Sequence, residues 1–407
     1  MQGKVKKILN DNPEEILYIN FNQDGTCIAV GTETGFKIIN ISPFLDLYYK
    51  DLKGGIGIIE MLYKTNILAL VGGGKNPKFK LNELIIWDEE KDMQICKINT
   101  KYKILNTKIR ENKIYIVNKS QILVFDFNSF NLIETLETKN IRGLISLCYK
   151  EDIVAYPDIQ HEGTIKIKNY DSKKEDTLKA HKTPLNCIQL NQDGTMIGTC
   201  SLKGTLIRVY NIVTKQLIRE VRRGAESANV NCISFDISQK YFIVVSDRKT
   251  IHLFFLINNN STNNTINNTN NNENRISNDY ENTESNEKIE TEEDNSNGNN
   301  INNINNINNE ENKNKSNNDL NNRRSIFEGM SNFLGVGKRY FGSEWSFARI
   351  KINISKSIAI FGPDNSIIII TYEGKFYQAS FDPINGGDCI KIQEEKFYKD
   401  ILFIIFF

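Results

Sequence analysis

One pattern limits the folds open to this chain more than any other: the same order of short segments is written twice, far apart. Residues 17–21 and 27–31 flank Asn22-Gln23-Asp24-Gly25-Thr26 and are followed by the Gly-led run 35–39. Residues 185–190 and 196–200 flank Asn191-Gln192-Asp193-Gly194-Thr195 and are followed by 204–210, and a looser copy spans 230–256. The pentapeptide has the chemistry of a tight turn, because Asn and Asp side chains bond nearby backbone and Gly takes the positive φ that other residues resist. Almost no stretch outside the middle of the chain carries apolar residues at a 3.6-residue period, so the expected class is all-β. A supersecondary unit recurring at about 40 to 50 residues buries its faces only by stacking on copies of itself. The expected architecture is a WD-repeat-like β-propeller, with four-stranded blades around a central channel. Trp87-Asp88 adds a single dipeptide of the WD kind.

Composition matters next because one region breaks the pattern. Residues 258–322 are about half Asn, with Glu, Ser, Thr, Asp and Lys making up most of the rest. Such a segment cannot bury enough apolar area to offset its chain entropy and is expected to be a disordered insertion. Closure entropy grows only logarithmically with loop length, so a surface loop tolerates it. Without it ~340 residues remain, which at about 45 per blade makes seven or a little more. Residues 1–257 and 342–407 are therefore read as one propeller. The insertion also hides a charge asymmetry. It holds twelve acidic and four basic side chains, so the rest of the chain carries about +9 where the whole carries +1. That excess suits an anionic surface.

Residues 323–341 change character again. Ile326, Phe327, Met330, Phe333, Leu334, Val336, Tyr340 and Phe341 fall near one helical face, flanked by Arg323, Arg324, Lys338 and Arg339. This is the pattern of an interfacial membrane helix, with Phe327, Phe333, Leu334, Tyr340 and Phe341 as the inserting side chains. A helix docked on the propeller or on a partner protein has the same pattern. Gly329, Gly335 and Gly337 each cost about 1 kcal/mol relative to Ala, so it is not expected to be stable alone in water. The closing run 401–407 is too short to span a bilayer and reads as a last strand. Seven scattered cysteines without a Cys-x-x-Cys point to a reduced, cytosolic compartment, with no disulfide framework and no zinc site.

The most suggestive side chains are Arg222 and Arg223, followed by Gly224, between two strand-like runs. Neighbouring residues of a strand leave on opposite faces, so the pair can serve two pockets. Guanidinium forks onto phosphate oxygens, which makes two anion sites the expectation, against the alternative of two solvated arginines in a turn.

Several motifs in order resemble a known family. The run 68–74 through Asn76-Pro77-Lys78 to 82–88 looks like the second-blade signature of the PROPPINs, phosphoinositide-binding seven-bladed propellers of autophagy. Ala180-His181-Lys182-Thr183-Pro184-Leu185, Gly204-Thr205-Leu206-Ile207-Arg208 and Val221-Arg222-Arg223-Gly224 resemble that family's fifth blade and its Phe-Arg-Arg-Gly motif, and Glu344-Trp345-Ser346-Phe347-Ala348 the strand after its long sixth-blade loop. The resemblance implies two rim sites for phosphatidylinositol 3-phosphate or 3,5-bisphosphate. It assigns His181, Ser201, Lys203, Thr205 and Arg222 to the first, and Arg223, Ser246, Arg248, Thr250 and His252 to the second. Each has another reading: His181 can satisfy an internal hydrogen-bond network, and Ser201, Ser246, Thr205 and Thr250 stand at turns where hydroxyls bond backbone. Arg208, between Ile207 and Val209, reads as structural. The sequence departs from the family at Val221, where an aromatic residue is usual, at Lys249, in place of a glycine, and at Glu226, a carboxylate beside the second site that either repels phosphate or pairs with Arg223.

The resemblance further implies a monomer that needs no cofactor and recruits autophagy-related proteins. Its location would be cytoplasmic, peripheral on endosomal, vacuolar, autophagosomal or plastid-associated membranes. Asn-rich inserts are typical of protists with AT-rich genomes such as apicomplexans, hence the plastid. A second class is a scaffold propeller that never reads lipid. Catalysis is not expected: there are three histidines, His161, His181 and His252, and no phosphate-cradling Gly-rich loop before a helix. No basic stripe with interleaved aromatics suggests nucleic acid.

Overall fold

The repeated pentapeptide folds the same way both times. In the computed structural model, which describes residues 15–256, 344–353 and 356–397, Asn22 Oδ1 accepts from the Thr26 and Cys27 amides at 2.9 Å each and Asp24 Oδ1 from the Thr26 amide at 3.0 Å. In the second copy Asn191 Oδ1 accepts from the Met196 amide at 2.9 Å and Asp193 Oδ1 from the Thr195 amide at 3.0 Å. Gly25 and Gly194 take φ of +69° and +72°. A Cβ on Gly25 would lie 2.7 Å from Ile360 Cδ1, and one on Gly194 2.9 Å from Ile153 Cδ1. Each turn glycine is thus required twice, by its own backbone and by the blade behind it.

These hairpins build seven antiparallel sheets, one per blade, and the described residues contain no helix. Blade 1 is Ile16–Phe21, Cys27–Thr32, Gly35–Asn40 and Leu45–Asp51; blade 5 is Leu185–Leu190, Met196–Ser201, Leu206–Asn211 and Leu217–Arg222. Second strands such as Cys27–Thr32 are buried throughout, whereas outer strands such as Leu45–Asp51 face solvent. That is the burial expected of sheets covered on both faces by their neighbours.

Seven apolar clusters fill the seven seams between successive blades. The last joins Ile19, Ile28, Val30 and Ile39 of blade 1 to Ile368, Ile370 and Phe376 of blade 7, so the ring is closed by side-chain packing. Lys37 Nζ adds a bond to the Phe397 carbonyl at 3.0 Å. Among the described residues, blade 1 and blade 7 exchange no strand.

Blade 6 is the exception to contiguity. Its first three strands are Val230–Phe235, Tyr241–Ser246 and Thr250–Phe255, and its fourth, Ala348–Lys351, follows a long excursion of the chain. A short parallel piece, Gly387–Asp388, extends the sheet. The long insertion therefore enters between the third and fourth strands of the sixth blade, the blade to which the resemblance assigned it. The expected disorder of 258–322, the inserting residues Phe327, Phe333, Leu334, Tyr340 and Phe341, and the last strand over 401–407 lie outside the described residues.

Candidate phosphate-binding rim clusters

Blade 5 carries the arginine pair on its outer strand and its exit. Val221, fully buried, packs into the cluster shared with blade 6. Its neighbour Arg222 therefore leaves on the opposite face, toward blade 4, on the side of Tyr210, which packs into the blade 4–5 cluster. Arg223 turns back toward blade 6. The two guanidiniums serve different seams, as the alternation predicts.

On the blade 4 side the structure assembles a first cluster. Thr199 and Ser201 face this way because Cys200 between them belongs to the other seam. Lys203 is exposed in the turn that follows, Thr205 is buried, and Arg222 is half-buried beside Leu206 in register. His181 is buried, with Nε2 2.9 Å from Thr199 Oγ1, and that hydroxyl also reaches the Arg208 carbonyl at 3.2 Å. Burial, and then the Arg208 charge, push the imidazole down to about 4. His181 is thus engaged in the internal network. Arg208 is structural as read: Nη1 donates to the Ala180 carbonyl and Nε to Glu220, both at 2.7 Å.

The second cluster gathers in the seam between blades 5 and 6. Ser246, Thr250 and His252 share the face that carries Val244 and Phe254 toward blade 5. Arg223 is buried; its Nε donates to the Gly204 carbonyl at 2.9 Å and its Nη2 to the Glu226 carbonyl. Burial, and then Arg248, work against its charge. Arg248 is half exposed, with Nη2 2.8 Å from the Ser227 carbonyl and 3.3 Å from Glu226 Oε2. Glu226 thus gives its carboxylate to Arg248, and only its backbone carbonyl to Arg223. His252 Nδ1 is buried without a hydrogen-bond partner, and its imidazole is also pushed down to about 4, by burial first and then by Arg223 and Arg349.

One contact was not legible in the sequence. The Arg222 amide donates to the Glu344 carbonyl at 3.0 Å, Val221 and Glu344 bridge in parallel, and Arg219 pairs with the Glu344 carboxylate. The chain returning from the insertion thus brushes the outer strand of blade 5 before it enters blade 6. No local sequence signal marks a contact whose partners lie either side of the insertion.

The fold is that of a seven-bladed β-propeller, with arginines and hydroxyls gathered in the seams on either side of blade 5. The family model described as PROPPIN matches residues 16–273, and the chain belongs to that family. It is 35% identical over 244 residues to Autophagy-related protein 18 of Dictyostelium discoideum, covering 59% of this chain and 65% of that one. With SVP1-like protein 2 of Saccharomyces cerevisiae it shares 31% identity over 292 residues, covering 62% and 65%. The matched stretch thus spans just under two thirds of these relatives. Among solved structures, Kluyveromyces lactis Hsv2 superposes with a TM-score of 0.66 at 21% identity, covering 94% of this chain and 99% of that one. KlAtg21, solved in complex with the coiled-coil of AgAtg16, superposes with a TM-score of 0.63 at 21% identity, over the same shares. Both agree in fold.

Proposed function

We propose that this chain is a peripheral membrane protein that binds phosphatidylinositol 3-phosphate, phosphatidylinositol 3,5-bisphosphate or both through two rim sites, and recruits autophagy-type machinery to the membrane it marks. The observation that carries this is the divergence of Arg222 and Arg223 into two seams, each furnished with hydroxyls and further cations. A single shallow site held by a few charge-assisted bonds is of order micromolar, whereas two on one rigid body gain from high effective concentration. Residues 323–341 would add apolar contact, of order 1 to 3 kcal/mol per fully buried aromatic or leucine and less at the interface. Family membership supports the lipid class, and the coiled-coil complex of KlAtg21 supports recruitment of protein partners.

The test is the double variant Arg222→Thr, Arg223→Thr. Far-ultraviolet circular dichroism should stay that of a folded β protein while flotation with vesicles carrying the 3-phosphorylated lipid disappears; retained flotation defeats the proposal. The other reading, a scaffold that never touches lipid, draws on the Arg223 guanidinium already being bonded to two backbone carbonyls. It predicts no flotation of the wild type and partner capture that survives the double variant.

A further inference from the structure

Ala348–Lys351, the strand that completes blade 6 after the long excursion, carries two cations that the motif assigns to neither site. Its burial alternates. Ala348 and Ile350 sit in the cluster shared with blade 7, so Arg349 and Lys351 leave on the other face, toward blade 5. Thr250 and His252 stand on that same face, because Ile251 and Leu253 between them belong to the blade 7 side. Register makes them neighbours: Thr250 lies opposite Lys351 and His252 opposite Arg349. Directly opposed residues of an antiparallel pair have Cβ atoms about 5 Å apart. Arg349 Nε donates to Asp388 at 2.7 Å. Lys351 is exposed and has no ion pair among the described residues. The acids near this group are Glu226, which is paired with Arg248; Asp388; Asp247, whose Oδ1 accepts from the Asn229 amide at 3.1 Å; and Glu394 of blade 7, which lines a groove with Arg349 and Lys351 and is itself paired with Lys391 at 2.5 Å.

We propose that Arg349 and Lys351 are ligands of the second site, holding the phosphorylated inositol ring from the outer strand of blade 6 while Arg223 and Arg248 hold it from the blade 5 side. The inference rests on the proposed function and adds residues to it. Four cations then converge on the seam where His252 keeps a buried ring nitrogen unpartnered. Such a site is completed only when the chain has returned from the insertion.

The experiment places Lys351→Ala in two backgrounds, Arg222→Thr and Arg223→Thr, and measures association with phosphatidylcholine vesicles containing phosphatidylinositol 3-phosphate at low ionic strength. Loss of one charge-assisted contact should weaken binding about tenfold in the Arg222→Thr background, where only the second site works. In the Arg223→Thr background the same change should have no effect. Lys351 is exposed, so an unchanged thermal midpoint is expected of Lys351→Ala and serves as the folding control. Arg349→Ala should follow the same pattern. An equal loss in both backgrounds marks general electrostatic attraction and overturns the proposal, as does no loss in the first. If inorganic phosphate binds in a Lys351-dependent way while vesicle association in the Arg222→Thr background does not depend on Lys351, the site belongs to free phosphate and the lipid assignment falls. Wild-type binding that needs Arg222 and Arg223 but ignores Lys351 leaves the proposed function standing without this extension, and no wild-type binding removes both.

Discussion

His181, in the loop that enters blade 5, and His252, in the third strand of blade 6, are held near the same low pKa, about 4, yet they are in different situations. His181 has its Nε2 against Thr199, in a chain of bonds that ends on the Arg208 carbonyl. His252 lies between Arg223 and Arg349 with a ring nitrogen unsatisfied. A buried polar atom without a partner is costly unless something arrives to meet it. The first histidine is thus engaged in the fold's own hydrogen bonds, whereas the second keeps a buried ring nitrogen that no described residue meets.

The largest effect that sharpens this contrast concerns the arginines taken singly. Arg223→Thr removes a buried guanidinium that ties Gly204 to Glu226, and should cost about 2 to 4 kcal/mol of stability. Arg222→Thr, at a half-buried position, should cost less. Thermal unfolding monitored by circular dichroism reads the difference, and equal midpoints would break the asymmetry.

Next comes pH. Both imidazoles bind protons less readily when folded than the 6.5 of the free group. As pH falls below about 6.5 the unfolded chain takes up protons first, so the contribution to stability is complete above that pH and is lost on the way down to 4. The slope is about 1.4 kcal/mol per pH unit per histidine. His181→Asn and His252→Gln should each remove one histidine's share of that slope in denaturant titrations. An arriving phosphate should raise the pKa of His252 again, so vesicle binding should strengthen between pH 7 and 5, and that gain should vanish in His252→Gln but persist in His181→Asn.

The smallest effect belongs to Glu226. Glu226→Gln frees Arg248 from a largely exposed ion pair and should tighten vesicle binding two- to threefold at most, consistent with the modest worth of such pairs. A larger gain would mean that the carboxylate faces the ligand directly.

The two seams also differ in how much of them the sequence disclosed. The turn chemistry of Asn22-Gln23-Asp24-Gly25-Thr26 and its second copy is local, and the two-residue period of a strand sends Arg222 and Arg223 apart; both could be read without a structure. His181 could not be resolved between two roles, because the deciding bond to Thr199 joins separate strands. Glu226 was read as repelling phosphate or pairing with Arg223, but its carboxylate meets Arg248 instead, a partner from the next blade that no local pattern marks. Arg349 and Lys351 escaped notice because their nearness to His252 and Thr250 is a matter of register across the insertion, and register is set by the whole blade.

The split of blade 6 has a consequence for the integrity of the molecule. A peptide bond cut anywhere in 257–343 leaves two pieces, one ending after Phe255 and one beginning before Ala348, joined by the strand pairing of Thr250–Phe255 with Ala348–Lys351 and by the apolar cluster that Tyr241, Ile243 and Leu253 share with Ile367, Ile369 and Tyr377. A nicked chain should therefore run as two bands under denaturing conditions and as one particle in native buffer, and the two fragments made separately should reconstitute the ring.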